Sequence, residues 1–229
     1  MIKTIIKFSE FLLKTNEKVY SPQEDSFFLE DCLEKYFSNE FKKKTNLKSI
    51  CEIGCGSGYI TLKLINLFPD LIISAVDINE NAVDLTKANL ILNKVNTTNI
   101  KIEHSNLFGF LLDRPENLIK SFDLIVFNPP YIPSEEKFSV KMVKNNESKI
   151  ESSWEGGLQG KEVINLFLDN ASQFLNENGL IFILLTNYQL NNSNSKKFVE
   201  QNAKKYHLMQ EYTKKINFES LFVLVLQKN

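Results

Sequence analysis

An α/β architecture, in which a mostly parallel sheet carries helices on both faces, is expected for this 229-residue chain from three features. Apolar runs of strand length at 49–53, 71–76, 122–127 and 180–185 alternate with stretches of helical apolar spacing, the pattern of successive βαβ units. The first run enters Gly54-Cys55-Gly56-Ser57-Gly58 and then a helical stretch, a strand, glycine turn and helix in which the backbone can approach a ligand. Two strand-like segments, 206–212 and 221–226, end the chain and suggest an antiparallel closing pair. With 43% hydrophobic residues and 18 Phe the composition is globular, and the length suits one domain with a full core.

Taken in order, residues 4–14 place Ile5, Ile6, Phe8, Phe11 and Leu12 at helical spacing, so a short amphipathic helix is expected. Pro22 and the acidic Glu24 and Asp25 then mark the N-terminus of a helix bearing Phe27, Phe28, Leu29, Cys32, Leu33 and Phe37. From the residues alone this is an ordinary capped helix or a loop lying over a cofactor. Lys42-Lys43-Lys44 falls in a polar linker. The glycine loop has the spacing G-x-G-x-G. A dinucleotide fingerprint has G-x-G-x-x-G, so the loop favours a ligand without a pyrophosphate. A helix is expected from 59 to 68. The strand at 71–76 ends in Asp77, about twenty positions beyond the loop, where a carboxylate accepts hydrogen bonds from both ribose hydroxyls. That role is shared by NAD-type and S-adenosylmethionine-type sites. A helix cap is the competing role, because Ala82, Leu85, Ala88 and Leu92 follow at helical spacing. Ile100 and Ile102 mark a third strand, after which Ser105-Asn106-Leu107 falls where an adenine would lie.

The strand at 122–127 runs into Asn128-Pro129-Pro130-Tyr131, the stretch with the clearest chemistry. Two prolines fix φ and lack N–H groups, which makes the turn stiff and leaves carbonyls free to accept. A planar NH2 needs two acceptors. The Asn128 side-chain oxygen and the Pro129 carbonyl supply them, and Tyr131 supplies a flat face for stacking. The nitrogen would then face a bound methyl donor. The plainer alternative is a Pro-Pro turn closing a buried strand. Residues 133–153 are polar and aperiodic, a loop of the length that is either functional, folding over a substrate, or disordered. Trp154-Glu155-Gly156-Gly157 precedes a helix with Val163, Ile164, Phe167 and Leu168, and a polar helix is expected near 194–205.

The net charge is −1, and Arg114 is the single arginine among 27 basic residues, which argues against affinity resting on many phosphates. Cys32, Cys51 and Cys55 lack the spacing of a zinc site or disulfide framework and are expected to be reduced. The opening residues are charged too often for a signal peptide, and no apolar run approaches transmembrane length. A soluble, cytoplasmic protein is expected, with the nucleus left open. The expected organisation is a single domain: N-terminal helices and a cofactor-covering loop over 1–46, and the core over 47–229.

The order Glu52-Ile53-Gly54-Cys55-Gly56-Ser57-Gly58, Asp77, then Asn128-Pro129-Pro130-Tyr131 resembles the class I S-adenosylmethionine-dependent methyltransferases of the glutamine-modifying HemK type. The resemblance covers nearly all of 19–227. Tyr20-Ser21-Pro22-Gln23-Glu24-Asp25-Ser26 is similar to the Tyr-x-Pro-x-Glu-Asp-Thr segment of the eukaryotic and archaeal release-factor branch. Trp154-Glu155-Gly156-Gly157-Leu158-Gln159-Gly160 is similar to its Trp-x-Gly-Gly-x-x-Gly. Members of that branch were once described as N6-adenine DNA methylases.

The resemblance implies a Rossmann-like, seven-stranded sheet with an antiparallel C-terminal strand, and S-adenosyl-L-methionine as cofactor. Tyr20, Ser26, Glu52, Gly54, Gly56, Gly58, Asp77, Ile78, Asn106, Leu107 and Asn128 would hold the cofactor; Asn128, Pro129, Pro130 and Tyr131 would hold the acceptor amide. Where the family usually has Asp, this chain has Asn106, which still accepts through its amide oxygen but binds the adenine amino group more weakly. The implied substrate is the glutamine of Gly-Gly-Gln in a class I translation release factor. The implied partner is a small zinc-binding activator subunit on the sheet edge near Ile100. Other acceptors stay open at this stage: adenine N6 of DNA or RNA, a protein lysine, or no acceptor at all in an idle adaptor.

Overall fold

The computed structural model describes residues 4–38, 46–112, 121–130, 161–190, 195–201, 204–216 and 219–229. The first departure from the sequence reading comes at once. Residues 5–14 form a hairpin, β1 (Ile5–Phe8) and β2 (Phe11–Lys14), in place of the expected amphipathic helix. Ser9 turns at φ 51°, and Phe11 and Leu13 are buried while Leu12 is exposed, a period of two. The outer edge of β2 is paired by side chains. Asn89 accepts from the Lys14 N–H at 2.7 Å and donates to the Lys14 carbonyl at 3.1 Å, and Asn93 does the same for Leu12 at 3.0 and 2.7 Å. Two asparagine amides thus complete a strand edge with the pattern of a third strand.

Helix α1 (Glu24–Phe37) follows, with Glu24 and Asp25 in its first turn. The core then alternates as expected through β3 (Ser49–Ile53), α2 (Tyr59–Leu67), β4 (Ile72–Asp77), α3 (Glu80–Leu92), β5 (Ile100–His104), the short α4 (Gly109–Leu112), β6 (Phe122–Phe127) and α5 (Lys161–Ala171). It ends with β7 (Leu175–Thr186), α6 (Ser195–Gln201), β8 (Tyr206–Ile216) and β9 (Glu219–Lys228). Seven strands form one sheet in the order β5-β4-β3-β6-β7-β9-β8. The first five are parallel. β9 enters antiparallel between β7 and β8, so the closing pair and the antiparallel C-terminal strand match expectation.

Both faces are covered, and the strand alternation shows how. Ile50, Leu124, Val126, Phe182 and Leu184 join one core with Leu29, Leu33 and Phe37 of α1 and Leu62 and Leu64 of α2. Cys51, Ile53, Ile125, Phe127, Ile181 and Ile183 join the other with Ile164, Phe167 and Leu168 of α5. Doubly buried strands read as continuous apolar runs, which is why these segments were legible. None of the three cysteines forms a disulfide, and all are buried. Among the described residues no helix is long and apolar enough to cross a membrane.

One buried cation ties the N-terminal segment down. Lys63 of α2, 3% exposed, contacts Glu10 of the hairpin turn at 3.1 Å, Glu30 of α1 at 3.0 Å and Glu34 of α1. Tyr59 donates to the other oxygen of Glu30. Burial acts to raise the Glu10 pKa, but hydrogen bonds from Ser9 and Lys63 prevail and hold it at about 2. Replacing Lys63 by Met strands the buried Glu30 without its cation and is expected to cost about 3–5 kcal/mol. Glu10→Gln, at a more exposed end of the cluster, should cost no more than about 1 kcal/mol. Urea unfolding of both variants checks this; equal losses would contradict a cluster centred on Lys63.

Candidate active site

The parallel register brings three strand ends together. Ile53 pairs with Val76 on one side and Phe127 on the other, and Asp77 pairs with His104. Gly54, Asp77 and Asn128 therefore emerge at the same edge of the sheet, and Ser105 one residue beyond β5. The chain winds outward from β3 to β4 and β5 on one side and continues through β6 and β7 on the other. Ligands bind at such a reversal, outside the carboxyl ends of the strands. A cavity of about 370 Å³ lies there.

The glycine loop begins with the Gly54 and Cys55 N–H groups donating to the Val76 carbonyl at 2.8 and 3.0 Å. Gly56 donates its N–H to Asp77 Oδ2 at 2.9 Å, and the Asn79 N–H reaches Asp77 Oδ1 at 2.8 Å. Asp77 is thus held by backbone donors with each oxygen still able to accept another. It is not the helix cap: that is Asn79, whose side chain accepts from the Asn81 N–H. Gly58 is the left-handed N-cap of α2 at φ 81°, and a Cβ there would meet Thr86 at 3.0 Å. Asn89, which grips β2, also donates to the Ser57 carbonyl at 2.8 Å, so the hairpin and the glycine loop share one anchor.

Two carboxylates form the polar floor. Glu52 is 4% exposed and accepts from the Thr61 hydroxyl; burial, reinforced by the charge of Asp77, pushes its pKa up to about 8 despite that bond. Burial also raises Asp77, against the opposing pull of the Asn79 and Gly56 N–H groups. A site with two such carboxyls favours a ligand that brings hydroxyl donors or positive charge.

The remaining polar feature is at Asn128. Its Nδ2 donates to Asp25 Oδ2 at 2.8 Å, and its Oδ1 is buried without a partner among the described residues. Asp25, 2% exposed, also accepts from the Tyr20 hydroxyl at 3.1 Å. A buried acceptor left open is uncommon and points to a ligand donor.

Both the sequence and the fold have counterparts among known proteins. The profile described as methyltransferase small domain matches residues 28–153, more than half the chain. The chain belongs to this methyltransferase family. A protein named putative protein N5-glutamine methyltransferase, from Methanocaldococcus jannaschii, is 33% identical over 79% of this chain and 78% of its own. The eRF1 methyltransferase catalytic subunit mtq2 of Schizosaccharomyces pombe is 28% identical over 77% and 76%. The crystal structure of a methyltransferase from Pyrococcus furiosus superposes with a TM-score of 0.60 at 16% identity, covering 96% of this chain and 90% of that one, a likeness of fold.

In this methyltransferase the cavity is lined by Tyr20, Ser26, Glu52, Gly54, Gly56, Asp77, Ile78, Asn106, Leu107, Asn128, Pro129 and Pro130. Of the residues expected at the site, Gly58 stands apart, packed on Thr86 as a helix cap rather than on the cavity wall, and Tyr131 lies outside the described residues. The loop at 133–153 and the Trp154 to Gly160 segment lie outside them as well. Asp25 was not singled out from the sequence. Its signal in the sequence is its place beside Ser26 in the Tyr20 to Ser26 segment, where first-turn acidity offers a local explanation.

The raised pKa of Glu52 has a consequence for stability. The native state binds a proton at Glu52 up to about pH 8, whereas its ordinary value is 4.5. Between those values the folded state holds more protons, so this contribution is full below pH 4.5 and is lost as pH rises through 8. Glu52→Gln is expected to remove that part of the slope and to melt higher than the parent at pH 9 without ligand. Parallel melting curves from pH 5 to 9 would show it, and identical slopes would refute it.

Proposed function

We propose that this methyltransferase transfers the methyl group of S-adenosylmethionine to the side-chain amide nitrogen of glutamine in the Gly-Gly-Gln motif of a class I translation release factor. The observation that carries the reading is the buried, unpartnered Oδ1 of Asn128 at the cavity wall, directly before Pro129 and Pro130. The names of the archaeal and yeast relatives support the acceptor class. The donor set fits the cofactor: Asp77 offers acceptors for ribose hydroxyls, Asn106 an amide oxygen for an adenine amino group, and Glu52 a carboxyl toward a cationic ligand. The bound cofactor supplies an electrophilic methyl on a sulfonium. Tyr20, Ser26, Gly54, Gly56, Ile78 and Leu107 complete its walls.

An amide nitrogen is a poor nucleophile because its lone pair is delocalised. Asn128 Oδ1 and the Pro129 carbonyl would hold both amide N–H bonds and fix the nitrogen, with hydrogen bonds that strengthen as it pyramidalises. Tyr131 is assigned the stacking face. Transfer would be direct: the amide nitrogen forms the N–C bond as the S–CH3 bond breaks, leaving the thioether product, and gives up one N–H proton to solvent, so no covalent enzyme intermediate is required. Labelled methyl transfer to a release factor carrying Gly-Gly-Gln, with Gly-Gly-Ala and DNA controls, tests the reading; label on DNA, or none on the release factor, would overturn it. In the same assay Asn128→Ala should lower kcat by about 100- to 1,000-fold while changing cofactor affinity far less.

A partner belongs to the same proposal: a small zinc-binding activator subunit adding a strand beside β5, the terminal strand of the sheet order. Its support is the phrase "catalytic subunit" in the yeast relative's name and the exposure of Ile91, 75%, on the neighbouring α3. Ile91→Asp should reduce co-purification with a co-expressed activator and leave the melting temperature unchanged. Undiminished capture would remove α3 and β5 from the interface.

A further inference from the structure

The open acceptor of Asn128 depends on which way its amide faces. A primary amide carries an acceptor and a double donor on one carbon, and a half-turn about the Cβ–Cγ bond exchanges them. Only one orientation offers the cavity an oxygen. In the structure Nδ2 is engaged by Asp25 Oδ2 at 2.8 Å, from a residue 103 positions away in sequence. The other Asp25 oxygen is engaged by the Tyr20 hydroxyl at 3.1 Å. A carboxylate accepts and cannot donate, so the flipped amide would set its oxygen against a carboxylate oxygen inside a partly buried contact. Asparagine alone would have no such preference.

We propose that Asp25, braced by Tyr20, is a positioning residue that locks the Asn128 amide with its oxygen toward the acceptor nitrogen. It acts through Asn128. The proposal deepens the planar-amino reading given above and rests on it. It also gives the buried N-terminal segment a chemical task, because α1 carries Asp25 and the Lys63 cluster holds α1 in place.

The test compares Asp25→Ala, Asp25→Asn, Asn128→Asp and the double variant Asp25→Asn with Asn128→Asp. Asp25→Ala should lower kcat roughly 10- to 100-fold, with cofactor affinity and melting temperature near those of the parent. Asp25→Asn should fall between, because an amide at 25 can either accept or donate, and its pH–rate profile should keep the parent's shape. Asn128→Asp alone sets two carboxylates against each other and should be nearly inactive. In the double variant the amide at 25 donates to the carboxylate at 128, which again turns an oxygen to the acceptor; activity should recover at least about tenfold over Asn128→Asp. Absence of recovery, or loss of a pH–rate limb in Asp25→Asn, would overturn the positioning role.

A readout without substrate separates this proposal from the assigned reaction. In ¹⁵N-labelled protein the Asn128 side-chain amide pair is identified by its disappearance in Asn128→Asp. Slow solvent exchange of that pair in the parent, lost in Asp25→Ala, is expected. Unchanged exchange in Asp25→Ala would overturn the inference even with an active enzyme. Slowed exchange in the parent, lost in Asp25→Ala, with no label on the release factor would retain the Asp25 lock and discard the assigned acceptor.

Discussion

The site depends on the in-register parallel pairing of β3 with β4 and β6, because that pairing alone decides which residues leave the sheet at the same height. Ile53 opposes Val76 and Phe127, so Gly54, Asp77 and Asn128 share an edge although they are separated by up to 74 positions. A slip of one residue would turn every side chain of a strand to the other face, and both faces are packed against helices. The two cores therefore defend the register, and the register defends the site. Stability and function are coupled here through geometry and through shared residues, since Ile53, Val76 and Phe127 belong to a core and also line the cavity.

A second constraint acts from outside the sheet. The segment carrying Tyr20, Asp25 and Ser26 reaches the cavity from the N-terminal side, and nothing in β-pairing holds it there. Apolar packing of Leu29, Leu33 and Phe37 holds α1, and polar contacts add to it: Asn89 and Asn93 grip β2, and Lys63 joins the hairpin turn to α1. Such contacts are weak sources of net stability compared with apolar packing, since desolvation offsets most of their attraction. They are strong sources of specificity, because a misplaced segment would bury the same groups unpaired. Hydrogen bonds added to the apolar packing of α1 keep the position of this cavity-facing segment sharp.

What the sequence disclosed follows from the same physics. Strands buried on both faces leave continuous apolar runs, so β3, β4, β6 and the apolar end of β7 could be read directly, and the glycines and Asn128-Pro129-Pro130 stood at their ends. The hairpin could not be read, because Ile5, Ile6, Phe8, Phe11 and Leu12 satisfy a helical spacing as well as a strand one over so few residues. What decided between them was Asn89 and Asn93, more than seventy positions away. Gly58 looked like its neighbours in the loop, and only Thr86 behind it reveals a packing role. Asp25 was hidden for a different reason: an acidic residue in a first helical turn already has a local explanation, and its partner Asn128 is joined to it only by the fold.

The acceptor geometry also bears on the range of substrates. Under the proposed reading, in which Asn128 and Pro129 supply two acceptors, the site would select for a nitrogen that offers two N–H bonds in one plane, which an amide and an adenine amino group both do. A lysine amine has tetrahedral geometry and arrives protonated, so it must shed a proton before its lone pair is available. Discrimination between amide and adenine cannot come from Asn128 and Pro129, since both groups satisfy them equally. It must come from the walls beyond them, by what those walls admit and which partner surface they accept. The near-neutral charge of the chain, −1 overall, gives little general attraction to a phosphate backbone.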